Sequence, residues 1–110
     1  MNDSKFSKDA LDDLWDIAEH AKQAYSAAIK VIKGEGHEEE ERRLCWENED
    51  MVDKLRDEMK EKHIRRLAKG ECDPRSGMIY ADMVVDLERI ADHATNLVGD
   101  ISGEPKMIAN

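Results

Sequence analysis

Aromatic residues make up only 5 % of this 110-residue chain, and it holds two prolines. Runs of β-branched residues are nearly absent. A sandwich or barrel needs such residues for its pleated, half-buried surfaces, so an all-β fold is excluded. Cysteine is scarce too. Cys45 and Cys72 show neither C-x-x-C pairing nor Cys/His ligand spacing, and read as reduced thiols of an intracellular protein. Basic charge is outweighed: 17 Lys and Arg against 26 Asp and Glu give a net charge of −9. That excludes a nucleic-acid surface, which needs a basic footprint, and suits cation binding or plain solubility. No apolar run approaches the ~18 to 20 residues of a membrane span. The opening "MNDSKFSKDA" lacks the apolar region of a signal peptide. A soluble, cytoplasmic chain with no direct membrane insertion is expected. The same residues would also suit the soluble part of a larger membrane protein.

What remains is 39 % charged and 40 % apolar residues, the make-up of helices with solvated outer faces. Three helical segments are expected at about 7–33, 38–69 and 74–102, with a tail at 103–110 of no clear structure. Leu11, Leu14, Ala18, Ala21, Tyr25, Ala28 and Ile32 follow a 3,4 spacing, which predicts the buried seam of the first helix. Ser7 is its expected N-cap, and Gly34 and Gly36 its stop. The second helix opens on "HEEEE" and ends near Gly70. Its seam is poorer: Leu44, Met51 or Val52, Leu55, Met59 and Leu67, with Asn48 and His63 beside them. Asp73-Pro74 opens the third helix, whose seam reads Tyr80, Met83, Leu87, Ile90, Ala94, Leu97 and Ile101 before Gly103 and Pro105. Short breaks between amphipathic helices give an all-α antiparallel three-helix bundle as a single domain over 1–110.

Within "LERIADHATN", Glu88, Asp92 and Asn96 recur one helical turn apart. At ~100° per residue they point away from the predicted seam. Asp12 and Asp16 do the same on the first helix. Glu49 and Asp53 flank the seam of the second. Folding the chain at breaks near residues 35 to 36 and 71 to 72 brings Glu49/Asp53, Glu88/Asp92 and the stretch of Asp16, Glu19 and His20 to one height. Such a belt is either solvated polarity or a site for a hard divalent or trivalent cation, which wants several oxygens at ~2.0 to 2.6 Å. The candidate ligands are Glu49, Asp53, Glu88 and Asp92, with Asp12, Asp16, His93 and Asn96 as weaker members. The candidate ions are iron, zinc or magnesium.

The stretch "KHIRRLAKGECDPRSGMIYADMVVDLERIADHATNL", with "ENEDMVDKL" upstream, resembles the PhoU family, and especially the PhoU-like cytoplasmic domain of bacterial sodium/phosphate cotransporters. Arg66-Leu67, Gly70, Tyr80, Asp82, Leu87 to Ile90, Asp92 to Ala94 and Asn96 carry the resemblance. It implies a helical bundle that controls phosphate uptake or signalling. It also implies metal clusters, in some members, on surface E/D-x-x-x-D motifs, here Glu49 to Asp53 and Glu88 to Asp92. The family typically holds two three-helix repeats and this chain one, so the resemblance implies either a transporter fragment or a homodimer. The expected partners are a phosphate transporter's membrane domain and a second copy. An independent metal-binding bundle is the alternative.

Single residues add less. His20 and His93 are either flank residues or additions to a metal site. His63 is expected to support the end of the second helix. Trp15, Trp46, Val84 and Val85 lie off the seams and mark either a second contact surface or the edge of a wide stripe. Arg65, Arg66 and Lys69 gather where helix ends collect cations. No Ser/His/Asp or Cys/His grouping and no phosphate-binding loop stands out, so no enzyme is expected and no catalytic residue is named.

Overall fold

The computed structural model describes residues 6 to 102, with side chains described to residue 99. The expected tail at 103–110, with Gly103 and Pro105, lies outside the described residues, as does the side chain of Ile101. Three helices account for the rest: α1 Lys8–Lys33, α2 Glu38–Ala68 and α3 Pro74–Ser102. Their ends have local causes. The Ser7 side chain accepts a hydrogen bond from the Ala10 amide at 3.1 Å, satisfying one of the orphan donors of the first turn. Gly34 ends α1 in the left-handed region at φ 72°, and the amides of Gly34 and Glu35 close on Val31 and Lys30 carbonyls. Four glutamates fill the first turn of α2 and two arginines its last, each complementing the helix dipole. The Asp73 carboxylate accepts from both the amide and the hydroxyl of Ser76, and Pro74 occupies the first helical position.

The helices run up, down and up. His63 of α2 stacks near Tyr80 of α3, and Arg56 reaches Glu88, the pairs that a hairpin centred at residues 71 to 72 requires. Lys30 lies near Glu41 beside the first break, while Lys62 meets Asp13 at the far end. Each helix packs against both others, and the bundle is 48 Å long. The core holds Ile17, Val52, Met59, Val98, Thr95 and Cys45, all essentially inaccessible.

The seams differ from the sequence expectation in one consistent way. On α1 the buried line is Ala10, Leu14, Ile17, Ala21, Ala24, Ala28 and Val31. Leu14, Ala21 and Ala28 belong to the expected seam, but Leu11, Tyr25 and Ile32 are exposed. On α3 the line is Gly77, Tyr80, Val84, Leu87, Ala91, Ala94 and Val98, while Met83 and Ile90 face outward. Val84 is thus a core residue rather than an outlier. On α2, Cys45 replaces Leu44 at the centre, Val52 is chosen over Met51, and Leu67 is exposed. Both α1 and α3 carry stripes wide enough for two adjacent seams. The edge holding the smaller residues is buried, because alanines let helix backbones approach and pack to interior density.

This choice of edge is measurable. Ile17→Ala should cost about 2 to 5 kcal/mol, the range for truncating a fully buried aliphatic side chain. Leu11→Ala should cost under about 1 kcal/mol, as exposed positions do. Denaturant unfolding of the two variants checks this, and equal losses would place both edges in the core.

Candidate functional site

The polar residues that the bundle brings together begin with the α1–α2 interface. Lys62 reaches Asp13 at 3.0 Å and Asp9 at 3.6 Å, and Arg66 reaches Asp9 at 3.4 Å. Asp13 raises the Lys62 pKa most, through its hydrogen bond, against the opposing effect of desolvation. Higher up, His20 Nδ1 lies 2.7 Å from Asn48 Oδ1, while Asn48 Nδ2 donates to the Leu44 carbonyl at 2.9 Å. Since the Asn48 oxygen can only accept, His20 donates from Nδ1. Asn48 is buried, so this pairing spares its polar atoms the cost of an unmade hydrogen bond. His20 is therefore a helix-to-helix tie.

The α2–α3 interface holds the expected acid belt, and a cation already lies within it. Arg56 donates from Nη1 to Glu88 across the interface and approaches Asp53 at 3.5 Å on its own helix. Its Nε donates to Asp57 at 3.1 Å. Burial works against the guanidinium's charge, but Asp57 and Glu88 together hold its pKa above the ordinary value. Glu88 does not lie on an outward strip, as its spacing suggested. It is half-buried and faces α2, because the inward rotation of α3 carries it there. Asp92, Asn96 and His93 are exposed on the same helix, as are Asp12 and Asp16 on α1. Asp12 pairs with Lys8 at 3.0 Å. Glu49 is half-buried.

Asp53 and Glu88 thus stand at one height, linked through one guanidinium. As arranged, both acids face the Arg56 guanidinium. Among the described residues no three of His, Cys, Asp and Glu converge as metal ligands. The bridge is an ion-pair network instead. Arg56 and the two acids satisfy the charges that would otherwise repel.

One end of the bundle is built around Tyr80. Its ring centroid lies 5.6 Å from that of Phe6 and 5.4 Å from that of His63, and the Arg66 guanidinium carbon sits 5.6 Å above it. Gly77 is packed so closely that a Cβ there would lie 2.8 Å from His63 Cε1. His63 therefore does more than finish α2: it fills the space a larger residue at position 77 would take. Desolvation first, then the charge of Arg66, holds its pKa below the ordinary value. Burial pushes the Tyr80 phenol up.

The PhoU domain model matches residues 14–101 of this sequence. That stretch takes in most of all three helices, with the His20–Asn48 tie and the Arg56–Glu88 bridge, and leaves out Asp9 and Asp13. The chain belongs to the PhoU domain family. It is similar to the phosphate-specific transport system accessory protein PhoU homolog 1 of Thermotoga maritima. The two are 23 % identical over 92 residues, which is 79 % of this chain and 40 % of that protein. The chain therefore spans well under half the length of this relative. No solved structure matches the chain significantly. No helix among the described residues is long and apolar enough to cross a membrane.

In this PhoU domain the motif residues divide by role. Tyr80, Leu87, Ala94 and Arg66 pack or tie the bundle, whereas Asp82, Asp92, His93 and Asn96 face solvent. Sequence reasoning missed Arg56. Its signal was available: a lone Arg sits one turn after Asp53 in a helix whose partner brings Glu88 to the same height. Arg89 pairs weakly with Asp86 within α3, at 3.9 Å.

Two outcomes follow from these contacts. A double-mutant cycle of Arg56→Met and Glu88→Gln should show coupling of about 1 kcal/mol, with no coupling if the bridge is absent in solution. His63 has a folded pKa below its unfolded value, so the unfolded chain binds more protons below about pH 6.5. Stability should be fully present above that pH and decline as pH falls through it. His63→Gln should flatten that part of the profile, measured by thermal unfolding between about pH 7 and 5.

Proposed function

We propose that this chain is a non-catalytic regulatory domain of phosphate transport or phosphate signalling. In this reading it binds the cytoplasmic face of a phosphate transporter, or forms the cytoplasmic part of a sodium/phosphate cotransporter. The observation that carries the reading is the PhoU match over residues 14–101, joined with a relative named as a phosphate-transport accessory protein. The structure supports a binding rather than a catalytic role. The polar side chains that the helices bring together tie helix to helix, as Arg56 to Glu88 and His20 to Asn48 do. The exposed motif residues Asp82, Asp92, His93 and Asn96 remain on one helix for a partner to read.

The second reading, an independent metal-binding bundle, is favoured by the shared height of Asp53 and Glu88. Iron, zinc or magnesium at Glu49, Asp53, Glu88 and Asp92 would require Arg56 to leave both acids. Elemental analysis separates the two readings. Stoichiometric metal in the purified protein, lost in Glu88→Gln and Asp92→Asn, favours the metal reading; background metal in all three favours the regulatory one.

Phosphate uptake tests the regulatory reading directly. Deleting the gene should shrink the difference in labelled-phosphate uptake between cells grown in high and low phosphate. Restoring the intact gene should bring it back. An unchanged difference would contradict the proposal.

A further inference from the structure

The end of the bundle built around Tyr80 also holds a small cavity. Ser7, Arg66, Glu71, Cys72 and Tyr80 stand on its wall, and its volume is about 20 Å³. That is room for one oxygen-sized atom. Its polar groups are mostly donors. Tyr80 is only 3 % exposed, and its hydroxyl has no hydrogen-bond partner among the described residues. Arg66 Nη2 is buried and unpartnered as well, while Nη1 of the same guanidinium reaches Asp9 at 3.4 Å. Burial keeps the phenol protonated, so it donates. Ser7 Oγ accepts from the Ala10 amide, which leaves its own proton for another partner. A buried donor without a partner costs free energy, so the cavity suits one small acceptor.

Cys72 is the oxidisable group on that wall. Its thiol is half-buried and donates to the Asp73 carbonyl at 3.5 Å. Its sulfur turns in over Gly77: a Cβ at position 77 would lie 3.6 Å from Cys72 Sγ and 2.9 Å from His63 Nε2. The α2–α3 hairpin gathers Cys72, His63, Arg66 and Tyr80 at one place.

We propose that Cys72 is a peroxide-oxidisable thiol whose sulfenic oxygen occupies this cavity, accepting hydrogen bonds from Tyr80 and Arg66. In the step, Cys72 Sγ attacks one oxygen of hydrogen peroxide and the O–O bond breaks. The second oxygen leaves as hydroxide and takes the thiol proton, forming water. Sulfur loses two electrons and the peroxide gains them. The product is the sulfenic acid, the first rung of thiol oxidation. It adds a single heavy atom, which is what the cavity holds. A sulfinic acid brings two oxygens and exceeds it. Glu71, on the same wall, is an acceptor for the sulfenic proton. Cys45 is buried in the core roughly 30 Å back along α2, so it does not consume the sulfenic acid as a disulfide. An external dithiol reverses the step, giving the thiol, water and its own disulfide. This proposal stands independently of the transport reading.

The test treats the reduced full chain with hydrogen peroxide and follows it by mass spectrometry, with dimedone as the trap for sulfenic acid. Cys72 should gain one oxygen, be captured by dimedone and return to the thiol with dithiothreitol, while Cys45 stays unmodified. The midpoint of thermal unfolding should rise by about 4 °C on oxidation, as two unpartnered donors gain an acceptor. Tyr80→Phe keeps the ring and removes only the hydroxyl. It should cancel most of that rise and let the sulfenic acid pass to sulfinic acid at least about threefold faster. Arg66→Lys should act in the same direction, with circular dichroism verifying that both variants fold. Oxidation of Cys72 no faster than that of Cys45 overturns the proposal. So does an oxidised chain no more stable than the reduced one, or a sulfenic lifetime that neither variant alters.

Discussion

The structure depends on how closely α1 approaches its two neighbours. Five alanines, Ala10, Ala21, Ala24, Ala27 and Ala28, lie buried on that helix. Their small side chains let Ile17 and Leu14 fill the centre at the density of a protein interior. Everything further out follows from that choice of face. It rotates the bulkier Leu11, Trp15, Tyr25 and Ile32 outward and places Asp13 and His20 against α2. The matching rotation of α3 carries Glu88 inward to Arg56.

Polar contacts then fix register along the packed faces. Surface ion pairs contribute little to stability individually, but the polar ties here span helices at several levels: the ion pairs of Lys62 with Asp13 and Arg56 with Glu88, and the hydrogen bond of His20 with Asn48. A slip of one turn would separate all of them. The long α2 has the weakest amphipathic pattern of the three helices, and it takes part in every one of these ties. Polar contacts there supplement a modest apolar seam.

Much of the architecture was legible in the sequence. Ser7, Gly34 and Gly70 mark ends that local rules fix, because orphan amides and carbonyls need partners wherever a helix stops. The count and direction of the helices followed from two short breaks, and so did the common height of Asp53 and Glu88. The buried edges were less legible. A 3,4 spacing beginning at Leu11 fits as well as one beginning at Ala10, and the bulkier residues draw the eye. Hydrophobicity says which residues prefer burial, whereas the close fit of three helices selects those that are small. Glu88 turns inward for the same reason: α3 buries the edge of Val84, Ala91 and Val98, not that of Met83 and Ile90. Arg56 is not legible in this way, because a pattern of acids alone does not reveal the cation that neutralises it.

Site-resolved thiol labelling tests the chosen face of α1 most directly, using neighbouring positions on that helix. Ala24→Cys and Tyr25→Cys would be labelled at a protein concentration of about 1 µM and read by mass spectrometry. If Ala24 faces the core, a cysteine there should react only as fast as the bundle opens, while one at position 25 should react like a free thiol. Fast labelling at 24 with protection at 25 would contradict the account and turn the helix back to its bulkier edge.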